Sequence, residues 1–457
     1  MKSSLTALHS PEQTGLYEKY VNRQWVRLLD LLQMNVSYKR CTGSELQTID
    51  GRRIIDFNSG YCVHNLGHNH PAIKAAIKEE LERDGPAMLQ SHVSDLAGVL
   101  AARLCEHAAG RLTKVFFASS GSEGIETVIK FARAHTGRTG LLSAKGSFHG
   151  LTCGALSLMS DHFWRDGFGP LLPDIDNVTF ADVEDLEARL KTRRYAALIL
   201  EPIQVEGGMR IPSAEYLQQA QALCRRYGTL FVLDEVQTGM YRTGPFLAAH
   251  HFGLEPDMVV LAKALSGGLI PIAAVLMSDA VSDSIYSSLK RAIVHTSTYS
   301  ENGLAMRAGL ASLDVLKAER AGERATEMGE WLRSLLAERL SNYEMVREIR
   351  GLGMLTGVEF QPPCRFRLRI LFEAFARIHP AMFGQVLVMR LFRDKGMLTQ
   401  ICGNNFMVLK VAPALTISEQ QVRQFVNALG EVVELMHCGR SFWSEPLGMV
   451  RRIIGSV

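Results

Sequence analysis

Short apolar runs of strand length alternate with stretches of helical spacing through the middle of the chain. Two runs matter most. Residues 230–233 (LFVL) stop on Asp234, and residues 258–262 (MVVLA) stop on Lys263. A short apolar run bounded by turn residues predicts a strand buried on both faces. The same pattern predicts strands at 115–117, near 141–143 and at 196–200. Helical spacing marks 72–82, 94–109, 123–133 and 214–226; in the third, Ile125, Val128, Ile129 and Ala132 share one face. This alternation predicts an α/β fold, a large domain with a mainly parallel sheet and helices on both faces.

The flanks read differently. Residues 1–15 are polar and expected to fray. Residues 17–34 predict one helix, with Tyr20, Trp25, Leu28, Leu29 and Leu32 as its apolar positions. Residues 46–49, Asp50-Gly51 and 52–57 predict a hairpin with a type I′ turn. A helix at 304–317 leads out of the large domain. Beyond it, Met328, Trp331, Leu332 and Leu335 mark a helix, strands are predicted at 346–349, 355–360, 398–401 and 407–411, and 418–436 predicts a closing helix. The expected division is an N-terminal segment (1–70) packing with the small domain, a large domain (71–318) and a smaller α+β C-terminal domain (319–457). In 361–383, Arg365, Arg367 and Arg369 alternate with apolar residues. This predicts a surface excursion with a solvated basic face, a lid or substrate-facing loop being the alternative.

Composition narrows the function classes. With 47% hydrophobic and 21% charged residues among 457, the chain has an ordinary globular balance. Lys plus Arg is 50 against 47 for Asp plus Glu, and a net charge of +3 gives no reason to expect nucleic acid. The cysteines at 41, 62, 105, 153, 224, 364, 402 and 438 are scattered, so they predict reduced thiols and a cytoplasmic protein. The longest apolar stretch, 264–277, is short for a membrane span and is broken by Gly267, Gly268 and Pro271. His64, His68 and His70 invite a metal reading, but no Cys or carboxylate stands at ligand spacing, so no metal is expected.

Ligands of open α/β sheets bind beyond the carboxyl ends of the strands, which puts Asp234 and Lys263 at one mouth. Lys263 lies between Ala262 and Ala264. Desolvation disfavours an ammonium there, and such lysines form Schiff bases; snorkelling to water is the plainer alternative. Ser119-Ser120-Gly121-Ser122 opens a helix and suits a phosphate, although serine is also a common N-cap. Phe148, in Phe148-His149-Gly150, stands at a strand mouth where it could stack on a flat ring or fill the core. A carboxylate such as Asp234 facing a pyridine nitrogen makes the ring an electron sink. Gln237 could reach a ring oxygen, and Thr296, Ser297 and Thr298 form a hydroxyl cluster suited to phosphate. Together these meet the requirements of pyridoxal 5′-phosphate.

Seven motifs carry a resemblance over residues 17–435: NLGHNHP, SSGSEGIETVIKFAR, SFHG, EPIQVEGG, LDEVQTGMYRTG, LAKALSGG and HTSTYSENGLAMRAG. In order and spacing they resemble the class-III aminotransferases of pyridoxal-phosphate fold type I, the group containing ornithine, acetylornithine and putrescine aminotransferases. The resemblance implies that Lys263 carries the cofactor's Schiff base and that Asp234 pairs with the ring nitrogen. It implies Gln237 on the ring hydroxyl, Val236 on one ring face, and Phe148 on the other with His149 beside it. It places Ser120, Gly121 and Ser122 at the phosphate, where relatives often have Asn in place of Ser120. It implies a homodimer in which Thr298 reaches the neighbouring subunit's cofactor phosphate.

On the substrate side the resemblance implies Tyr61, Glu206 and the residue at 410. Relatives usually carry an arginine there that grips a carboxylate bidentately; this chain has Lys410, which supplies charge without a planar fork. The expected activity is amino-group transfer from an amine or ω-amino compound to a 2-oxo acid, with 2-oxoglutarate the less favoured acceptor. An epimerase, aminomutase or phospholyase on the same scaffold, or a non-catalytic binder, are the alternatives.

Overall fold

The computed structural model describes residues 11–88, 91–438 and 440–445. Its centre is a seven-stranded sheet in the spatial order Lys114–Ala118, Ala273–Met277, Met258–Leu261, Leu230–Asp234, Tyr195–Leu200, Gly140–Ala144, Ile175–Val178. Only Ala273–Met277 runs against its neighbours. The apolar runs are continuous because both faces are covered. Alternate residues go to opposite cores: Leu230, Val232, Met258 and Val260 to one, Phe231, Leu233, Val259 and Leu261 to the other. The first core also takes Ile125, Val128, Ile129 and Ala132 of the helix Gly121–Thr136.

A second, antiparallel sheet lies toward the C-terminus, in the order Val346–Leu352, Leu355–Phe360, Asn405–Val411, Gln400–Cys402. A third joins the two ends of the chain: Tyr38–Thr42, Glu45–Thr48 and Arg53–Asp56 are completed by Met397–Leu398, parallel to Arg53–Asp56. Among the described residues no helix is long and apolar enough to cross a membrane.

Two local expectations change and two gain detail. The first ten residues of the stretch expected to fray lie outside the described residues, and the next ones belong to the helix Pro11–Tyr20. The single helix expected at 17–34 is two, Pro11–Tyr20 and Arg23–Leu31, because Asn22 is extended and its side chain accepts from Trp25 N at 3.0 Å, starting the second helix. The hairpin loop is not type I′, which needs positive φ at both central residues. Only Gly51 has it, at 87°, and Gly51 N donates to Thr48 O at 3.2 Å, which centres the turn on Ile49-Asp50. The excursion at 361–383 contains the helix Phe366–Ile378 and runs into Met382–Lys395. Its basic face is exposed as expected, at Arg365, Arg367 and Arg369, while Leu368, Phe372 and Phe375 pack on the body at i, i+4 and i+7.

Candidate active site

The strand Leu230–Asp234 delivers Asp234 to the sheet edge, level with Val260 on the neighbouring parallel strand. Lys263 emerges three residues further along that neighbour and enters a tight turn, Lys263–Ser266, with φ at 39°. A left-handed conformation in a residue with a Cβ is costly and concentrates at functional sites. Both side chains line a cavity of about 440 Å³ together with Ser119, Ser120, Gly121, Ser122, Phe148, His149, Glu201, Val236 and Gln237. The structure thus brings together nine of the sequence-predicted cofactor residues: Ser120, Gly121, Ser122, Phe148, His149, Asp234, Val236, Gln237 and Lys263. Thr298 is exposed and does not line this cavity.

Asp234 is tied on both oxygens. Oδ1 accepts from Val236 N at 3.1 Å, and Oδ2 lies 2.8 Å from Nδ1 of the buried His149. Burial holds the Lys263 ammonium below its ordinary value, against the opposing pull of Cys62, Asp234 and Glu206. Glu201, at the end of the strand Tyr195–Leu200, accepts from Phe148 N at 2.9 Å. Burial, and the nearby Asp234, push its carboxyl well above the ordinary range.

The helix Gly121–Thr136 begins at this cavity. Ser120 is its N-cap, accepting from Glu123 N at 3.2 Å, while Ser119 N donates to Glu123 Oε2 at 2.8 Å. The cap uses the Ser120 oxygen as an acceptor and leaves its O–H to donate. Ser122 Oγ lies 2.7 Å from Thr152 Oγ1. What the turn offers an anion is chiefly the N-terminal end of a 16-residue helix. Gly121 leaves room that a side chain would fill, since a Cβ there would stand 3.0 Å from Val236 Cγ2.

A buried charge pair adjoins the cavity. Lys410 lies on the strand Asn405–Val411 and is 0% exposed; its ammonium donates to Glu206 Oε1. Glu206 Oε1 also accepts from Gln237 Nε2 at 3.3 Å, and Oε2 from Gly403 N at 2.8 Å. Burial works against both charges, but the partner's charge and hydrogen bond, helped by Gly403 N at Glu206 and by Cys402 and Tyr61 at Lys410, hold Glu206 below and Lys410 above its ordinary value. The Tyr61 ring covers the ammonium, 4.5 Å from its centroid to Nζ. Gln237 thus links the pair to the cavity, and its Oε1 is buried without a hydrogen-bond partner among the described residues.

Three residues escaped the sequence reading. Glu201 had a usable signal, an ionisable residue closing a strand as Asp234 does. Trp164 had none: its indole donates to Asn404 Oδ1 at 2.8 Å, and its ring meets Phe148 edge-on at 5.3 Å. Arg242 lay within a quoted motif, but nothing marked it as buried. In the histidine cluster, His68 Nε2 lies 2.8 Å from Asp56 Oδ2, and the His64 and His68 rings are 3.9 Å apart. Among the described residues no group of three or more His, Cys, Asp or Glu is arranged to hold a metal.

These features suit pyridoxal 5′-phosphate: an amine and a carboxylate at adjacent strand ends, an open helix N-terminus, a glycine clearance and an unpartnered amide oxygen. Comparison with known proteins points the same way. A profile of the class-III aminotransferases matches residues 30–433. Aminotransferase PigE of a Serratia species is 33% identical over 449 residues, covering 92% of this chain and 53% of that protein, so the chain spans about half the relative's length. Putrescine aminotransferase of Pectobacterium atrosepticum is 33% identical over 411 residues, covering 88% and 83%. The solved ornithine aminotransferase of Toxoplasma gondii superposes with a TM-score of 0.83 at 27% identity, covering 96% of this chain and all of that one.

Proposed function

The chain belongs to the class-III aminotransferases, pyridoxal-phosphate enzymes of fold type I, and from that premise we propose that it moves an amino group from an amine or ω-amino compound to a 2-oxo acid. The observation that carries the reading is the meeting of Lys263 and Asp234 at adjacent strand ends in one cavity. When bound, the cofactor supplies an electrophilic carbonyl and an electron-withdrawing ring. Lys263 would hold it, and Gly121, Ser122 and the helix N-terminus would receive its phosphate. Asp234, oriented by His149, would keep the ring nitrogen protonated. Val236 and Phe148 would flank the ring, and Gln237 would reach its hydroxyl. Released by the incoming amine, Lys263 would carry a proton at its Nζ; its lowered basicity suits that task.

The preference for an amine donor rests on Lys410. A carboxylate arriving at this position must compete with Glu206 for a single buried ammonium. A donor without a carboxylate at its reacting end leaves the pair intact.

The reading extends to a homodimer and a cytoplasmic setting. Exposed Leu289, Ile293 and Tyr299 bracket Thr298, an apolar stretch that a second subunit would cover. All eight cysteines are free thiols. Residues 71–318 would form the cofactor domain, with 1–70 and 319–457 supplying Tyr61 and Lys410. The test is a half-reaction: the holoenzyme's visible absorption should convert fully with a diamine and slowly with glutamate. No conversion with any amine would refute the reading.

A further inference from the structure

Arg242 is one of the largest fully buried side chains, 0% exposed, and among the described residues it has no carboxylate partner. Its guanidinium donates only to neutral acceptors. Nε and Nη2 both reach Asn65 Oδ1, the former at 3.1 Å; Nη2 reaches Ser59 Oγ at 3.4 Å; Nη1 reaches Met354 O at 3.2 Å and also Pro413 O. A buried cation without an ion-pair partner is costly, and burial holds its basicity below the ordinary value against the opposing pull of Cys62 and Asp56. A hydrogen-bonded cation maintained at that cost calls for a role.

What it ties together is the substrate side of the cavity. Ser59, Gly60, Tyr61 and Cys62 have φ of 43°, 62°, 60° and 69°, a complete left-handed turn in which three residues carry a Cβ. Such a run relaxes unless it is held. Asp56 Oδ1 holds its start, accepting from Asn58 N and Ser59 N at 2.8 Å each. Arg242 and the Ser59 hydroxyl hold its back: Ser59 Oγ donates to Ala412 O at 2.6 Å, while Arg242 bridges Ser59 and Pro413. Ala412 and Pro413 directly follow the strand that carries Lys410. The turn's exposed product is Tyr61, laid over the Lys410 ammonium. Arg242 therefore ties the Ser59 side chain, two residues before the tyrosine, to Pro413, three residues beyond Lys410.

We infer that Arg242 is a positioning residue for the Glu206–Lys410 pair, stapling the left-handed turn 59–62 so that Tyr61 covers Lys410 and shapes the donor's entrance. The inference rests on the functional reading above for its kinetic consequence, but not for its structural one. Two variants test it: Arg242→Lys, and the milder Ser59→Ala, which removes the hydroxyl's two ties, to Ala412 O and to the guanidinium, and leaves the guanidinium in place.

The first readout needs no activity. Hydrogen exchange of segment 57–66 should quicken at least about tenfold in both variants, with the strand Leu230–Asp234 unaffected. The second is kinetic. In Ser59→Ala the KM for an amine donor should rise about fivefold with kcat held within about twofold. In a Tyr61→Leu background the same substitution should change KM no further, because its effect runs through the tyrosine. Unchanged exchange overturns the inference. So does a released turn with unchanged KM, or a KM effect that persists in full without Tyr61. If the wild type converts no amine, the functional reading falls, and exchange alone decides whether Arg242 holds the turn.

Discussion

Lys410→Arg probes substrate choice most sharply. The ammonium donates to Glu206 and turns another side to the Tyr61 ring, so an arriving carboxylate finds one hydrogen bond at most. A guanidinium adds a second, parallel N–H. A hydrogen bond to a charged group contributes about 1.5–3 kcal/mol, and each 1.4 kcal/mol is roughly tenfold. The bare gain is therefore about 10- to 100-fold. Part of it is lost, because a larger head must enter a site where lysine is already 0% exposed, and overpacking costs about 1–3 kcal/mol. Where the packing cost stays at its lower end, about 1 kcal/mol, the net effect is about a three- to tenfold rise in kcat/KM for pyruvate and 2-oxoglutarate. Butanal, which has no carboxylate, should change by no more than about twofold. The assay measures all three acceptors against one fixed diamine, with thermal unfolding as a control for packing. An equal gain for butanal, or no gain for the oxo acids in a folded variant, would refute the reasoning.

Three further outcomes are expected. Asp234→Asn should retain cofactor but lose most of the rate, because the ring nitrogen is no longer held protonated; loss of cofactor with full rate in the remainder would contradict this. In the apoprotein, the pH midpoint for acylation of Lys263 should lie below that of an ordinary lysine, since burial depresses its basicity, and Asp234→Asn should lower it further by removing a charge that raises it. Mixing Thr298→Ala with Lys263→Ala chains should restore activity through heterodimers holding one intact and one doubly damaged site; dimers without activity would show that Thr298 does not act across subunits.

The large sheet was legible because burial on both faces writes strands as unbroken apolar runs, and strand ends then point to the ligand. Asp234 and Lys263 could be found that way. The basic face at 365–369 was legible, since Arg365, Arg367 and Arg369 are exposed, but its helix was not, because the spacing of Leu368, Phe372 and Phe375 is easily masked by charged neighbours. The Asp50-Gly51 turn misled because the dipeptide fits several turn types, and Thr48 decides among them through its own hydrogen bonds. Trp164 and Arg242 were beyond reach: their roles come from contacts with Asn404 and Pro413, far along the chain, which no local pattern encodes.

The account depends on Lys263 being the residue joined to the cofactor. Borohydride reduction of the yellow holoenzyme, followed by peptide mass mapping, tests this directly. The predicted result is loss of the visible band and a single reduced pyridoxyl adduct on Lys263. An adduct on another lysine, or none with cofactor bound, would contradict it.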